Sequence, residues 1–76
     1  MKKNHFKRAV AYIKQNLESY EIENAWAHIG RRMPIPCEIQ DKIRDLLNEY
    51  GEDNDLGEDW YLEYGDIEDF FMEIDS

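Results

Sequence analysis

The chain has 76 residues, with 18 Asp and Glu against nine Lys and Arg, so its formal net charge at pH 7 is −9. This length accommodates one small domain and excludes a large enzyme that encloses a cofactor. A single cysteine excludes an internal disulfide, and the periodically placed apolar residues, 42% of the chain, are not typical of a disordered protein.

The first 33 residues of the chain have two helical patterns that are out of phase with each other. The first predicts a helix over about residues 3–18, and the second predicts a helix over about residues 20–32. The step of five between the two apolar sets indicates a break near Ser19, whose hydroxyl can serve as an N-cap. The residues that define the two faces are Phe6, Val10, Ile13, Leu17, Ile22, Ala25, Trp26, Ile29 and Met33.

Two prolines separate the second helix from a third. Pro34 and Pro36 disfavour helical backbone in the residues before them and cannot donate an N–H. Pro36 also suits the first position of a third helix over about residues 36–50, and Gly51 suits its C-terminal stop. The apolar face of this helix consists of Ile39, Ile43, Leu46, Leu47 and Tyr50.

The last third begins with an acidic connector, which is followed by a short aromatic segment at 58–64. Aromatic crowding favours a strand there, but the spacing from Trp60 to Tyr64 favours a helix, which is our prediction. Asp66 is a good N-cap for a final helix over about residues 66–75.

Together these elements predict an all-α fold, a small single-domain bundle of three to four helices over residues 1–76. A core of this size provides only a few kcal/mol of net stability, so a partner or self-association would contribute. The predicted core consists of Phe6, Val10, Ile13, Leu17, Ile22, Trp26, Ile29, Ile39, Ile43, Leu46, Leu47, Phe70, Phe71 and Ile74.

Charge divides the chain into a basic N-terminal half and an acidic C-terminal half. All nine Lys and Arg lie at or before Arg44, together with five acids. From Asp45 onward there are 13 acids and no Lys or Arg. Such separation is typical of an interaction surface, although a solvated face that keeps a small domain soluble explains it equally well.

The favoured function is a non-enzymatic protein-binding or regulatory module whose acidic, aromatic half binds a basic protein surface. Aromatic side chains would supply contact area and carboxylates would attract positive charge. In its extreme form this is mimicry of nucleic-acid phosphates, and whether Tyr61 and Tyr64 are exposed stays open. The candidate contact residues are Asp53, Asp55, Glu58, Asp59, Tyr61, Glu63, Tyr64, Asp66 and Glu68.

The chain has no catalytic motif, so we expect neither an enzyme nor a cofactor nor a small-molecule substrate. Cys37 would lie at a helix N-terminus, but no motif connects it to His5 or His28. The glycines stand singly at element ends rather than in a phosphate-binding loop. No signal peptide or membrane span is recognisable, and we expect a cytoplasmic protein.

A first alternative is nucleic-acid binding, because the second and third predicted helices are joined by a tight turn, loosely as in a helix-turn-helix. Four basic side chains of this pair are candidates for phosphate contacts: Arg31, Arg32, Lys42 and Arg44. Four acids on the third helix would repel DNA: Glu38, Asp41, Asp45 and Glu49. The basic residues are better explained by pairing with the acidic half, in the same chain or in a second copy.

A second alternative is a calcium loop. The run from Glu52 to Glu63 resembles the twelve-residue loop of EF-hand proteins, with Gly57 at the sixth position. It departs from that pattern at Glu52, which stands in place of aspartate, at the fifth position, where Leu56 offers no side-chain oxygen, and at the eighth, where Asp59 stands in place of an aliphatic residue. The resemblance implies weak calcium binding at most.

Overall fold

The computed structural model describes residues 2–57 and 59–74, with side chains from residue 5 onward, and these ranges contain helices and no strand. This confirms the predicted all-α bundle. No helix within the described ranges has both the length and the apolar character needed to cross a bilayer. The helices are α1 (Lys2–Asn16), α2 (Ser19–Gly30), α3 (Cys37–Asp53), a 3-10 helix (Trp60–Glu63) and α4 (Ile67–Met72).

The boundaries of α2 differ from the prediction at both ends. Its N-cap is Glu18 rather than Ser19, because Glu18 and Glu21 form a capping box in which the Glu21 carboxylate accepts the Glu18 N–H at 2.9 Å. At the other end the helix stops at Gly30, since Arg32 adopts a left-handed φ of 61° and Met33 donates its N–H to the His28 carbonyl at 2.8 Å.

Helix α3 begins one residue later than predicted, with Pro36 as its N-cap, and continues through Gly51 to Asp53. The prediction that Gly51 stops the helix is therefore wrong. Glycine is required there for a close approach: a Cβ at this position would lie 2.7 Å from the Gly57 carbonyl oxygen and 2.8 Å from Nε1 of Trp60. Gly51 thus allows the chain that follows α3 to fold back onto it.

One hydrophobic cluster joins the helices. Ten of the fourteen predicted core residues are buried, while Phe6, Ile22, Trp26 and Ile29 are half-buried at its edge. Of the side chains that the core prediction omitted, Ala25 and Tyr50 lie on the predicted apolar faces, and the others lie on α1, between α2 and α3, or in the 3-10 helix. These additional buried residues are Ala9, Ala25, Ile35, Tyr50, Trp60 and Tyr61.

Trp60 fixes the 3-10 helix against α3. Its indole N–H donates to the Leu47 carbonyl at 2.7 Å, and this hydrogen bond is buried. Its ring centroid lies 5.4 Å from that of Tyr50, 5.6 Å from that of Tyr64 and 5.9 Å from that of Phe70. Because the 3-10 helix has only four residues, these contacts rather than helix propensity hold it in place.

A ring contact and an ion pair join α2 to its neighbours, in addition to the buried side chain of Ala25. The Trp26 and Phe71 rings lie 5.1 Å apart, which joins α2 to α4. The Lys42 ammonium donates to the Glu21 carboxylate at 2.7 Å, which joins α2 to α3. Glu21 thereby both caps α2 and fixes it to its neighbour.

Replacing the carboxyl of Glu21 should lower stability at neutral pH and have a smaller effect in acid. The hydrogen bond from Lys42, together with that from the Glu18 N–H, lowers the pKa of Glu21 from its ordinary 4.5. Since the folded-state pKa is the lower one, this stabilisation is present above the unfolded-state pKa and is lost as the pH falls through the folded-state value. Urea unfolding of wild type and Glu21→Gln at pH 7 and about pH 3 measures the difference.

The control for this measurement is Glu23→Gln, because Glu23 is an exposed glutamate on the same helix. We expect Glu23→Gln to behave like wild type at both pH values. Equal destabilisation by Glu21→Gln at pH 7 and pH 3 would contradict a role for the ionised carboxylate.

Candidate protein-binding surface

The predicted contact residues divide by exposure. Tyr64 is half-buried, Tyr61 is buried, and Glu58 lies outside the described residues. The carboxylates that remain are all exposed: Asp53, Asp55, Asp59, Glu63, Asp66 and Glu68. The charged part of the predicted surface is therefore accessible to a partner, whereas its aromatic part largely is not.

Tyr61 belongs to the core, which decides the exposure that the sequence left open. It is 3% exposed, and its ring centroid lies 6.3 Å from that of Phe70. A 3-10 helix has three residues per turn, so Tyr61 and Tyr64 face the same side, toward the core. Leu62 lies a third of a turn away from both tyrosines and is 58% exposed. The apolar side chain that this segment exposes to a partner is thus the aliphatic Leu62 rather than a tyrosine.

The structure brings three of the predicted residues, Tyr61, Asp66 and Glu68, together around one cavity. We call it the acidic groove; it has a volume of about 440 Å³ and lies between the start of α3, the 3-10 helix and the start of α4. The complete lining is Ile35, Gln40, Arg44, Tyr61, Leu62, Asp66, Ile67 and Glu68.

Local hydrogen bonds hold the walls of the acidic groove. On one wall, Gln40 donates its side-chain amide to the Ile35 carbonyl at 2.6 Å, which fixes the proline turn to α3. On the other wall, Asp66 is the N-cap of α4, and its N–H donates to the Asp69 carboxylate at 3.0 Å. The predicted N-cap role of Asp66 is confirmed, and the cap orients the first turn of α4 along the rim.

The charge of the acidic groove comes from Asp66 and Glu68, which are both exposed. Arg44 also lines it, but its guanidinium donates to the Asp41 carboxylate at 3.2 Å. That pairing offsets the positive charge of Arg44 locally. The acidic groove therefore combines apolar side chains with carboxylates, a composition that suits a basic and partly apolar binding partner.

A second, smaller pocket of about 220 Å³ gathers Asp55, Glu63 and Tyr64 beside His5 and Trp60. The His5 ring forms a hydrogen bond with the Tyr50 hydroxyl at 3.0 Å, which joins α1 to α3. Trp60 is 7% exposed and exposes little contact area to a partner. Of the other exposed carboxylates, Asp53 and Asp59 line neither cavity.

The region that resembles a calcium loop does not form one structural unit. Glu52 and Asp53 belong to the last turn of α3, and Glu63 ends the 3-10 helix. Among the described residues, which exclude Glu58, no group of three or more His, Cys, Asp or Glu side chains is arranged to hold a metal ion.

Two of the four basic residues that were candidates for phosphate contacts are paired with acids. Lys42 pairs with Glu21, and Arg44 pairs with Asp41, so both donate to acids of the first 44 residues rather than to the acidic half. The exposed face of α3 also carries four carboxylates: Glu38, Asp41, Asp45 and Glu49. Arg31 and Arg32 are exposed, and the helix-turn-helix alternative stays a prediction.

Four residues of the acidic groove had no predicted role in binding: Ile35, Gln40, Leu62 and Ile67. Ile67 was predicted to belong to the last helix, without a role in binding. The one signal in the sequence was Leu62, the aliphatic residue between Tyr61 and Glu63, which a three-residue period places away from the tyrosines.

Comparisons of this chain with protein-family models, with curated proteins and with solved structures gave no match. The function proposed below rests on the geometry and charge of the chain.

Proposed function

We propose that this chain is a non-enzymatic protein-binding module whose acidic groove takes a basic, partly apolar segment of a partner protein. One observation carries the proposal: Leu62, which is 58% exposed, lies in a cavity of about 440 Å³ whose rim carries Asp66 and Glu68. A large exposed aliphatic side chain beside carboxylates is typical of an interface, in which an apolar contact is surrounded by charge.

The two kinds of side chain have different roles in this proposal. Complete burial of a leucine side chain contributes about 1.5–3 kcal/mol, so covering the exposed part of Leu62 contributes part of that. Exposed charge pairs contribute roughly 0.2–1 kcal/mol each, and their main effects are on association rate and choice of partner. Leu62 therefore supplies affinity, while Asp66 and Glu68 select a basic partner.

The proposed module acts in the cytoplasm. Cys37 is an exposed free thiol, which suits a reducing compartment better than an oxidising one.

Binding is testable with a fluorescein-labelled amphipathic peptide of Lys and Leu, followed by fluorescence anisotropy. We expect wild type to bind this peptide and not the same peptide with Glu in place of Lys. The double variant Asp66→Asn and Glu68→Gln should weaken binding roughly three- to tenfold, since it removes two favourable charges. Asn is as good an N-cap as Asp, so α4 is retained.

The matched control is the double variant Glu23→Gln and Asp45→Asn, which makes the same change in net charge at exposed positions outside the acidic groove. It should bind the Lys–Leu peptide about as tightly as wild type. Equal weakening by the two double variants would mean that the peptide responds to overall charge, and it would overturn the proposal. Leu62→Ser provides a second test, because it should weaken binding without any change in charge.

A further inference from the structure

Another groove, separate from both cavities described above, carries positive charge from Lys7 and Lys14. We call it the basic groove; it has a volume of about 420 Å³ and lies between α1 and the end of α4. Lys7 and Ala11 are exposed one helical turn apart on α1, above the apolar side chains of Val10 and Ile74. Phe6, Lys14 and Glu73 complete its lining.

We propose that a second copy of this chain binds at the basic groove. It would do so through the rim of its own acidic groove, where Leu62, Asp66 and Glu68 lie. This inference rests on the proposed function, because it names the basic partner as another copy. Charge complementarity supports it: Lys7 of one copy would face Asp66 and Glu68 of the next, while Leu62 covers Ala11 and the apolar floor. Lys14 and Glu73 both have interactions within the chain, and the contact does not depend on either.

The proposed contact joins two different surfaces of the chain. The linings of the acidic groove and the basic groove share no residue, so one copy can use both at once. Copies can therefore add one after another into a ring or an open chain, or two copies can make the contact twice around a two-fold axis.

The net charge of −9 opposes this assembly at long range but not at contact. At an ionic strength of 0.15 M the Debye length is about 8 Å, so repulsion between the distant acidic parts of two copies is largely screened. Groups in contact across the interface are screened much less. Assembly is therefore expected at ordinary salt and rising protein concentration.

Sedimentation velocity at 0.15 M salt tests the proposal on the complete chain. The weight-average mass of wild type should rise above the monomer value of 9.2 kDa as the concentration approaches about 1 mM. Lys7→Glu with Ala11→Glu alters the basic groove, and Leu62→Lys with Glu68→Lys alters the acidic groove. Each double variant alone should stay at the monomer mass, and their equimolar mixture should form complexes, because the mixture restores one matching pair of surfaces.

The control for the basic groove is Arg8→Glu with Gln15→Glu, which makes the same change in charge on exposed α1 positions outside that groove. It should associate like wild type. Circular dichroism verifies that each variant is folded. Any one of three outcomes would overturn the proposal. Wild type could stay monomeric, the Lys7→Glu and Ala11→Glu variant could associate normally, or the mixture of folded variants could stay monomeric.

A measurement on wild type alone is independent of how well the variants fold. On dilution, the amide NMR signals of Lys7, Ala11, Leu62 and Glu68 should shift together. If the Lys–Leu peptide binds and wild type stays monomeric, only the choice of partner is wrong. If wild type associates without shifts at Leu62 and Glu68, the contact proposed here is wrong, and peptide binding still decides the proposed function.

Discussion

Gly51→Ala should lower the free energy of unfolding by about 2–3 kcal/mol, as expected for overpacking a filled site. This is the reverse of the usual effect, because Ala in place of Gly inside a helix normally stabilises by roughly 0.5–1 kcal/mol. The added Cβ would overlap Cδ1 of Trp60 and lie 2.7 Å from the Gly57 carbonyl oxygen. The Gly57 oxygen is a backbone atom, so it cannot move without moving the chain around it.

Trp60 has little freedom to move away from a new methyl group. Its indole N–H is held by the Leu47 carbonyl at 2.7 Å, and its ring is packed against those of Tyr50 and Phe70. Displacing the indole would leave a buried carbonyl with one hydrogen bond fewer and would open the aromatic cluster. The strain is therefore expected to remain in the folded state and to appear as lost stability.

Urea unfolding followed by circular dichroism measures this prediction, with Gly30→Ala as the matched control. Gly30 is the last residue of α2, and a Cβ there would meet nothing within 4 Å. Gly30→Ala should be neutral or stabilising by up to about 1 kcal/mol. If Gly51→Ala were as stable as Gly30→Ala, the close approach between α3 and Trp60 would not exist in solution.

Phe70→Ala should destabilise the chain by about 3–5 kcal/mol, the usual cost of removing a buried phenylalanine. Phe70 is fully buried, and its ring lies 4.5 Å from that of Phe6 on α1 and 5.9 Å from that of Trp60. It connects α4 to both α1 and the 3-10 helix. A domain of this size has only a few kcal/mol of net stability, so most molecules of the variant should be unfolded at 25 °C.

The short length of α4 adds to the effect of Phe70→Ala. A helix of six residues is unstable alone in water, so α4 depends on the packing of Phe70 and Phe71. Circular dichroism at 222 nm gives the folded fraction directly. Phe70→Leu keeps part of the contact and should leave a measurable cooperative transition at lower urea. The control is Met72→Ala, since Met72 is 47% exposed on the same helix; comparable losses for Met72→Ala and Phe70→Ala would contradict this account.

The predictions for Gly51→Ala and Phe70→Ala concern the core and also the residues that hold the acidic groove in place. Gly51 and Phe70 hold Trp60, Trp60 holds the 3-10 helix, and this helix presents Leu62 to solvent. Destabilisation by Phe70→Ala should therefore reduce binding of the Lys–Leu peptide in proportion to the unfolded fraction. Leu62→Ser should reduce binding with no such loss of structure, which separates the two effects.

The candidate site was only partly predictable from sequence. The order of charged residues along the chain gives the acidic half directly, and exposure of Asp66 and Glu68 is the usual state of a carboxylate in a small domain. The aromatic residues were ambiguous, because an aromatic beside acids fits an interface and a small core equally well. Which of Tyr61 and Leu62 is exposed depends on the three-residue period of the segment and on what packs beneath it.

The sequence by itself determined the helices and the charge map, because apolar periodicity, prolines and capping residues act within a few positions of one another. Only the tertiary structure decided the role of Gly51, which as a local signal resembles a helix stop but is required by Trp60, nine residues later. It also decided that Tyr61 is buried and that Ile35 lies beside Glu68 in one groove. These outcomes depend on contacts between segments far apart in the chain, which no local pattern encodes.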